Sequence, residues 1–332
     1  MIRSSAFEPC RWGKNRHLQT LLPPLLRNGS SLSFIHRRLD TSDGDFLDLA
    51  WSALPVGNDT TPIVLIFHGL EGSIDSHYIK GMFQALRKAG WIAVLMHFRG
   101  CSGEPNRTAR RYHSGETEDA AFVIHHIKKK VPNAPLFALG YSLGGNMLLK
   151  YLGEQGRNHH LRAAAAVSVP FDLGLCVSML ETGLSRIYHR HLLTELKQNT
   201  LAKIASVDHS KTITLSARQL ETLKSIRAFD EHVTAPIHGF KGADDYYQQC
   251  SSRQFLHRIT CPTLIIHARD DPFVDSSSIP DKHELSDSVV LEISDHGGHV
   301  GFISGSCLSS PRFWLEERVP EYFKKSLRYK FD

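Results

Sequence analysis

A serine set between glycines is where this chain could begin its chemistry. Leu136-Phe-Ala-Leu-Gly140-Tyr-Ser142-Leu-Gly144-Gly-Asn-Met-Leu-Leu-Lys150 is a short apolar run, a Gly-x-Ser-x-Gly step, then an apolar run with helical spacing. The pattern predicts strand, sharp turn and helix, which puts Ser142 at the tip of a nucleophile elbow with its Oγ projecting above a sheet. Gly140 and Gly144 are needed because a Cβ at either position would collide with the neighbouring backbone at the turn. A serine hydroxyl is a weak nucleophile near neutral pH, so it needs a base within hydrogen-bond reach and a carboxylate to orient that base.

Twenty histidines are candidates for the base, and position discriminates among them. His296 and His299, in Ser294-Asp-His-Gly-Gly-His-Val-Gly-Phe302, follow directly on the last predicted strand. His299 is the choice, because Gly297 and Gly298 let the loop fold back and deliver its imidazole to Ser142; His296 is the alternative. A metal reading of the His-x-x-His pair needs both rings on one helix face, and two intervening glycines argue against a helix. For the carboxylate, Leu264-Ile-Ile-His-Ala-Arg-Asp-Asp-Pro-Phe-Val274 runs off a strand into a turn. Asp271 fits a pattern of small residue (Ala268), two variable residues and Asp. Asp270 is its rival, with turn capping or a pair with Arg269 as its noncatalytic role. The chain order Ser, Asp, His is the one used by α/β-hydrolases.

Acyl transfer passes through a tetrahedral oxyanion that needs two fixed N–H donors. One is expected from Leu143, after the nucleophile. The other is expected from Leu70 in Phe67-His-Gly-Leu-Glu-Gly-Ser73, where Gly69 keeps the backbone accessible. These glycines are not a phosphate cradle, since no Gly-Lys-Ser/Thr follows them.

The elements that must position these residues alternate along the chain. Ser33 to Leu39 and Phe46 to Trp51, split by the turn cluster Thr41-Ser-Asp-Gly44, predict an antiparallel hairpin at one sheet edge. Ile63 to Phe67 and Trp91 to Met96 read as buried parallel strands, with a helix over Tyr78 to Ala89 between them and Gly90 as its terminator. Thr117 is the expected N-cap of a helix to Lys130, whose Lys128-Lys129-Lys130 end is solvated and complements the dipole. After the elbow, Ala163 to Val169, Thr263 to Ala268 and Val289 to Ile293 complete the strands, and Phe313 to Arg328 is a closing helix. This is an α/β fold: a mostly parallel central sheet with helices on both faces. Residues 171–258, too long for a simple crossover and including a helix over Met179 to Leu196, are expected to form an inserted helical cap within a single domain spanning 1–332.

Composition fits an ordinary globular chain: 332 residues, 41% hydrophobic, 22% charged, net charge +5. Basic residues are dispersed, which excludes a nucleic-acid patch. The six cysteines (Cys10, Cys101, Cys176, Cys250, Cys261, Cys307) show no C-x-x-C spacing, so a reduced, cytoplasmic location is expected. No stretch reaches the length of a membrane span. Leu18-Gln-Thr-Leu-Leu-Pro-Pro-Leu-Leu-Arg27 is expected to wrap the domain and bury its leucines, with peripheral lipid contact as the other reading.

His68-Gly-Leu-Glu-Gly-Ser73, His97-Phe-Arg-Gly-Cys-Ser-Gly-Glu-Pro-Asn-Arg107, Tyr112-His-Ser-Gly-Glu-Thr-Glu-Asp119, Gly140-Tyr-Ser-Leu-Gly-Gly-Asn146, His296-Gly-Gly-His-Val-Gly-Phe302 and Arg16-His-Leu-Gln-Thr20 together resemble the YheT-type hydrolases of bacteria. These belong to the α/β-hydrolase branch that also holds eukaryotic lipid esterases and yeast alcohol acyltransferases. The resemblance runs nearly end to end. It implies the α/β-hydrolase fold and a triad of Ser142, Asp271 and His299.

The expected function is therefore a serine esterase acting on short- to medium-chain acyl esters, including monoacylglycerol-like lipids, through an acyl-enzyme. No cofactor or metal is implied. Acyl transfer to an alcohol is the alternative, and a noncatalytic binding protein on the same fold is the third reading. Leu173, Leu175, Met179, Leu180, Leu184, Leu192 and Leu193 would line an acyl slot or glue the cap to the core.

Overall fold

Five uninterrupted apolar residues leave no face for water, and Ile63–Phe67 and Ile92–Met96 accordingly lie side by side as fully buried parallel strands. The computed structural model describes residues 1–27, 32–207, 213, 215–305 and 310–328. Among these, nine strands form one sheet: β1 (Ile2–Ser4), β2 (Ile35–Asp40), β3 (Phe46–Trp51), β4 (Ile63–Phe67), β5 (Ile92–Met96), β6 (Leu136–Tyr141), β7 (Ala163–Val167), β8 (Thr263–Ala268) and β9 (Val289–Ser294). Their order is β1-β9-β8-β7-β6-β4-β5-β3-β2. Neighbours run parallel except β3 on β5 and β2 on β3. The hairpin turns at Gly44, whose φ of 80° suits glycine, and forms the expected edge.

The other edge is not legible from periodicity. β1 is three residues long and adds in parallel to β9. Polar contacts hold it: the Met1 ammonium donates to the Val289 carbonyl at 2.6 Å, and Arg3 donates to Glu292 at 2.7 Å.

The helices are α1 (Arg16–Leu21), α2 (Pro23–Leu26), α3 (His77–Lys88), α4 (Thr117–Lys130), α5 (Leu143–Gln155), α6 (Leu173–Leu180), α7 (Arg186–Ile204), α8 (Ala217–Thr222), α9 (Ile226–Phe229), α10 (Ala235–His238), α11 (Ala243–Cys250) and α12 (Leu315–Arg328). The strands alternate their side chains into two layers. Ile63, Leu65 and Phe67 meet α4 and α5 residues such as Val123 and Met147, while Val64 and Ile66 meet α3 and α12 residues such as Phe83 and Phe323. Each fully buried side chain of this size contributes roughly 1.5–3 kcal/mol. From α6 to α11 the described residues form helices joined by short turns and build a core of their own from Leu180, Tyr188, Leu193, Leu196, Leu220, Phe229 and Val233.

Several expectations are corrected. Glu116, not Thr117, occupies the cap position of α4; the Thr117 hydroxyl donates to Glu154 instead, at 2.7 Å. The helix expected over Met179 to Leu196 breaks between Leu180 and Arg186, where Gly183 turns the corner with φ 48°. β7 stops at Val167 because Ser168 adopts φ 52°. The closing helix starts at Leu315, since Arg312–Phe313 pairs with Ile303–Ser304. The N-terminal leucines are not all buried: Gln19 and Pro23 face inward, while Leu18, Leu21 and Leu25 face solvent. Cys307 lies outside the described residues; Cys10, Cys101, Cys176, Cys250 and Cys261 are free thiols.

Candidate active site

Ser142 sits between β6 and α5 with φ 50° and ψ −118°, a backbone conformation that costs an L-residue roughly 1–3 kcal/mol. The surrounding structure enforces it. A Cβ on Gly140 would stand 2.4 Å from the Gly144 carbonyl oxygen, and one on Gly144 the same distance from the His68 carbonyl oxygen. Such an elbow lifts the serine out of the sheet and leaves the first amides of α5 open.

His299 reaches Ser142 from the loop after β9. Its Nε2 lies 2.9 Å from the Ser142 Oγ, and its Nδ1 lies 2.8 and 3.1 Å from the two carboxylate oxygens of Asp271. A carboxylate can only accept, so the proton resides on Nδ1 and Nε2 is free to take the serine proton. Asp271 is buried, and it also accepts the Phe273 amide at 2.8 Å. The structure thus brings Ser142, His299 and Asp271 together.

The two rivals pair with each other instead. Asp270 lies 3.3 Å from His296 Nδ1 and accepts the Gly298 amide at 3.0 Å, whereas Arg269 faces Asp295. Asp270 therefore braces the His299 loop, and neither turn capping nor a pair with Arg269 describes it.

Sequence reasoning missed the scaffold supplied by α1. The buried Gln19 side chain donates to the Ile303 carbonyl at 2.9 Å and accepts the Ile303 amide at 2.7 Å, imitating a strand partner. Thr20 Oγ1 accepts the His299 amide at 3.0 Å, and Ser168 Oγ accepts the Val300 amide at 3.0 Å. Glycine is required where the loop meets α1: a Cβ on Gly301 would sit 2.1 Å from the Gln19 carbonyl oxygen. The visible signal was the Arg16-His-Leu-Gln-Thr20 motif, which had no assigned role.

The loop after β4 faces Ser142 from the other side. The Gly69 amide is taken by the Tyr78 hydroxyl at 2.9 Å and the Glu71 amide by the Tyr112 hydroxyl at 2.9 Å. Between them the Leu70 amide has no acceptor among the described residues, and neither does that of Leu143. His68 beneath this loop donates from Nδ1 to the Gly69 carbonyl at 2.7 Å and accepts the Phe98 amide at 3.1 Å. Burial pushes its pKa down to about 3, so it is a neutral structural ring.

Ser142, His299 and Phe273 open into a cavity of about 370 Å³ roofed by the helical segment. Leu173, Leu180 and Leu192 line it, as do Leu70, Val177, Phe229, Val233 and Ile237. Leu175 and Leu184 face solvent and Leu193 packs in the helical core, so the expected slot residues divide by helix face; Met179 is half-buried and does not line the cavity. One buried acid lines the cavity: Asp230, in a π-helical turn (Asp230–Thr234), accepts from the Tyr247 and Thr234 hydroxyls at 2.7 Å each. Burial pushes its pKa up to about 6.

Side chains with metal-ligand chemistry also converge behind the cavity wall, where donor atoms of the lining residues His113 and His238 and of Glu116, which does not line the cavity, lie within 4.8 Å of one another. His113 Nε2 faces Glu116 Oε2 at 3.7 Å, while the other atoms of the two groups are engaged elsewhere: His113 Nδ1 accepts the Gly115 amide at 3.2 Å and Glu116 Oε1 accepts from Arg110 at 2.8 Å.

Comparison with known proteins agrees with this fold. Residues 62–306 match the family described as the alpha/beta hydrolase fold. Over 327 residues the chain is 47% identical to the Escherichia coli (strain K12) protein named "Putative esterase YheT", covering 98% of this chain and 95% of that one. It is 33% identical over 310 residues to the Mus musculus protein named "Phospholipase ABHD3", covering 92% and 75%. The solved structure of the Pyrococcus furiosus esterase Pf2001 shares the fold with a TM-score of 0.57 at 16% identity, over 91% of this chain and 95% of that one. The chain belongs to the α/β-hydrolase fold family, on its esterase/lipase-type branch alongside the Escherichia coli YheT protein.

Proposed function

We propose that the protein is a serine carboxylic-ester hydrolase that works through an acyl-enzyme. The observation that carries the reading is the unbroken line from Ser142 through His299 to Asp271 at the floor of an apolar cavity. Ser142 Oγ attacks the acyl carbon while its proton passes to His299 Nε2, and Asp271 stabilises the imidazolium that results. The carbonyl oxygen, now an anion, is held by the amides of Leu70 and Leu143. Collapse breaks the bond to the alcohol, which leaves with the proton from His299. Water then attacks the acyl carbon as its proton passes to the same nitrogen. The second collapse breaks the acyl–Oγ bond while His299 returns that proton to Ser142 Oγ, releasing the acid.

The helical segment serves as a cap, and its apolar lining favours short- to medium-chain acyl esters of small alcohols, monoacylglycerol among them. The kinship to a protein named a phospholipase supports a lipid-derived ester. A roofed cavity does not suit a polymer, so no peptide cleavage is expected. The free cysteines support a reducing, cytoplasmic location. Profiling the purified protein on p-nitrophenyl esters of increasing chain length tests the substrate class. An optimum at short to medium length is expected; zero activity across the series contradicts the ester reading.

Transfer of the acyl group to an alcohol uses the same intermediate and is the second reading, favoured by the apolar lining of the cavity. Turnover in the presence of ethanol separates the two, because a transferase yields the ethyl ester in preference to the free acid.

A further inference from the structure

Ten large apolar side chains are exposed among the described residues, and six of them fall on the helices around one cavity. Leu18 and Leu21 lie on α1 and Leu25 on α2; Leu175 lies on α6, Leu184 at the corner after it and Ile187 at the start of α7. Their exposure is not marginal: Leu25 is 79% exposed, Leu184 and Ile187 62% each, and Leu21 49%. These helices meet. The His17 ring stacks on Tyr188 of α7 with centroids 5.9 Å apart and lies 3.1 Å from its hydroxyl. Leu21 both faces solvent and lines the cavity, which Tyr188 and Leu192 also line. The patch is therefore continuous with the cavity that ends at Ser142.

An exposed apolar cluster of this kind needs an occupant, and its charge says which. Lys14 and Arg16 flank the leucines of α1, and Arg186 and Arg190 flank Ile187. None of these four cations has a carboxylate partner among the described residues, and they outnumber the acid of the corner, Glu181. Apolar side chains ringed by unpaired cations match a lipid interface, where leucines enter the acyl boundary and cations meet anionic headgroups. A protein partner would need acidic groups at this rim and a dimer would oppose its cations.

We infer that α1, α2, the α6–α7 corner and the first turn of α7 form a docking face for an anionic phospholipid bilayer, holding the cavity mouth against the membrane so that an acyl ester enters without crossing water. The purpose of the docking rests on the esterase reading above, but the docking itself is read without turnover. The test is co-sedimentation of the full chain with vesicles of phosphatidylcholine alone and with phosphatidylglycerol added, comparing wild type with a Leu25→Glu/Ile187→Glu variant. Neither residue lines the cavity, so hydrolysis of a water-soluble short-chain ester and the melting temperature should match wild type and show that the variant folds. The expected result is binding of wild type to the anionic vesicles, weaker in high salt, and a loss of about tenfold or more in the variant. Wild type that stays in the supernatant, or a variant that pellets as well as wild type, overturns the inference. So does a wild-type dimer in light scattering that the same substitutions dissociate, which would make a second copy the occupant.

Discussion

The Phe273 ring lies flat on the imidazole of His299, with centroids 3.9 Å apart and planes within 5° of parallel. Phe273 follows the Asp271-Pro272 step, so one short turn supplies both the carboxylate that meets His299 Nδ1 and the aromatic face that covers the ring. An aromatic face stabilises a cation above it by roughly 0.5–2 kcal/mol, and in the proposed mechanism the imidazolium forms only while Ser142 is being acylated or released. Phe273→Leu, which keeps apolar bulk but removes the π face, should lower kcat about three- to tenfold with little change in KM. Steady-state kinetics on a short p-nitrophenyl ester check this; an unchanged kcat would reduce Phe273 to packing.

The adjacent acids should separate cleanly. Asp271→Asn removes the group that fixes the His299 tautomer and should cost about 10⁴ in kcat. Asp270→Asn loosens the loop through Gly298 and should cost roughly tenfold or less, given that a buried hydrogen bond to an amide is worth about 1 kcal/mol. The reverse ranking would move the triad carboxylate to Asp270.

Most of the site was readable because its chemistry and its backbone demands coincide. Gly140, Ser142 and Gly144 are dictated by one steric event, and Gly297 and Gly298 by the return of a loop. The expected parallel strands followed from apolar runs that end fully buried, and the hairpin from the turn cluster Thr41-Ser-Asp-Gly44, since its edge strand β2 is largely exposed. What stayed hidden depends on contacts distant in sequence: Gln19 meets Ile303 across 284 residues, and β1 is too short to show a period. The N-terminal leucines misled because an apolar run is evidence of burial only when something covers it, and here the inward face of α1 carries Gln19.

Gln19 offers a test of that hidden scaffold. Gln19→Ala would leave the buried amide and carbonyl of Ile303 without partners, at about 1–3 kcal/mol for each unsatisfied group. The expected outcome is a lower melting temperature together with a kcat loss that exceeds any change in KM, because the loop carrying His299 loses its fixed position. Equal kcat with only a melting shift would show that Gln19 stabilises the fold without positioning the histidine.

Acid should unfold the protein early. Burial lowers the pKa of His68, His77 and His238 to about 3 and that of His267 to about 4. In an unfolded chain these imidazoles protonate near pH 6.5, so below that value the unfolded state binds protons that the folded state refuses. Stability is therefore full above about pH 6.5 and falls towards pH 4, by roughly 1.4 kcal/mol per pH unit for each such group. Asp230, raised to about 6, acts in the opposite sense, as do the carboxyls of Glu116, Glu195, Asp270 and Glu316, which burial also raises. On the other side burial lowers His97, His113, His159 and His189 as well, so the histidines set the slope. Urea midpoints across pH 4 to 8 check the slope; a flat profile would mean that these rings take up protons in the folded state.

The central claim is that Ser142 is the nucleophile, activated by His299. Intact-mass spectrometry after exposure to a fluorophosphonate reads this directly, independent of the natural substrate. One adduct per chain, mapping to Ser142, is predicted for the wild type, with much slower labelling of His299→Ala and none of Ser142→Ala. Labelling that persists in Ser142→Ala, or a wild type that never reacts, would contradict the account.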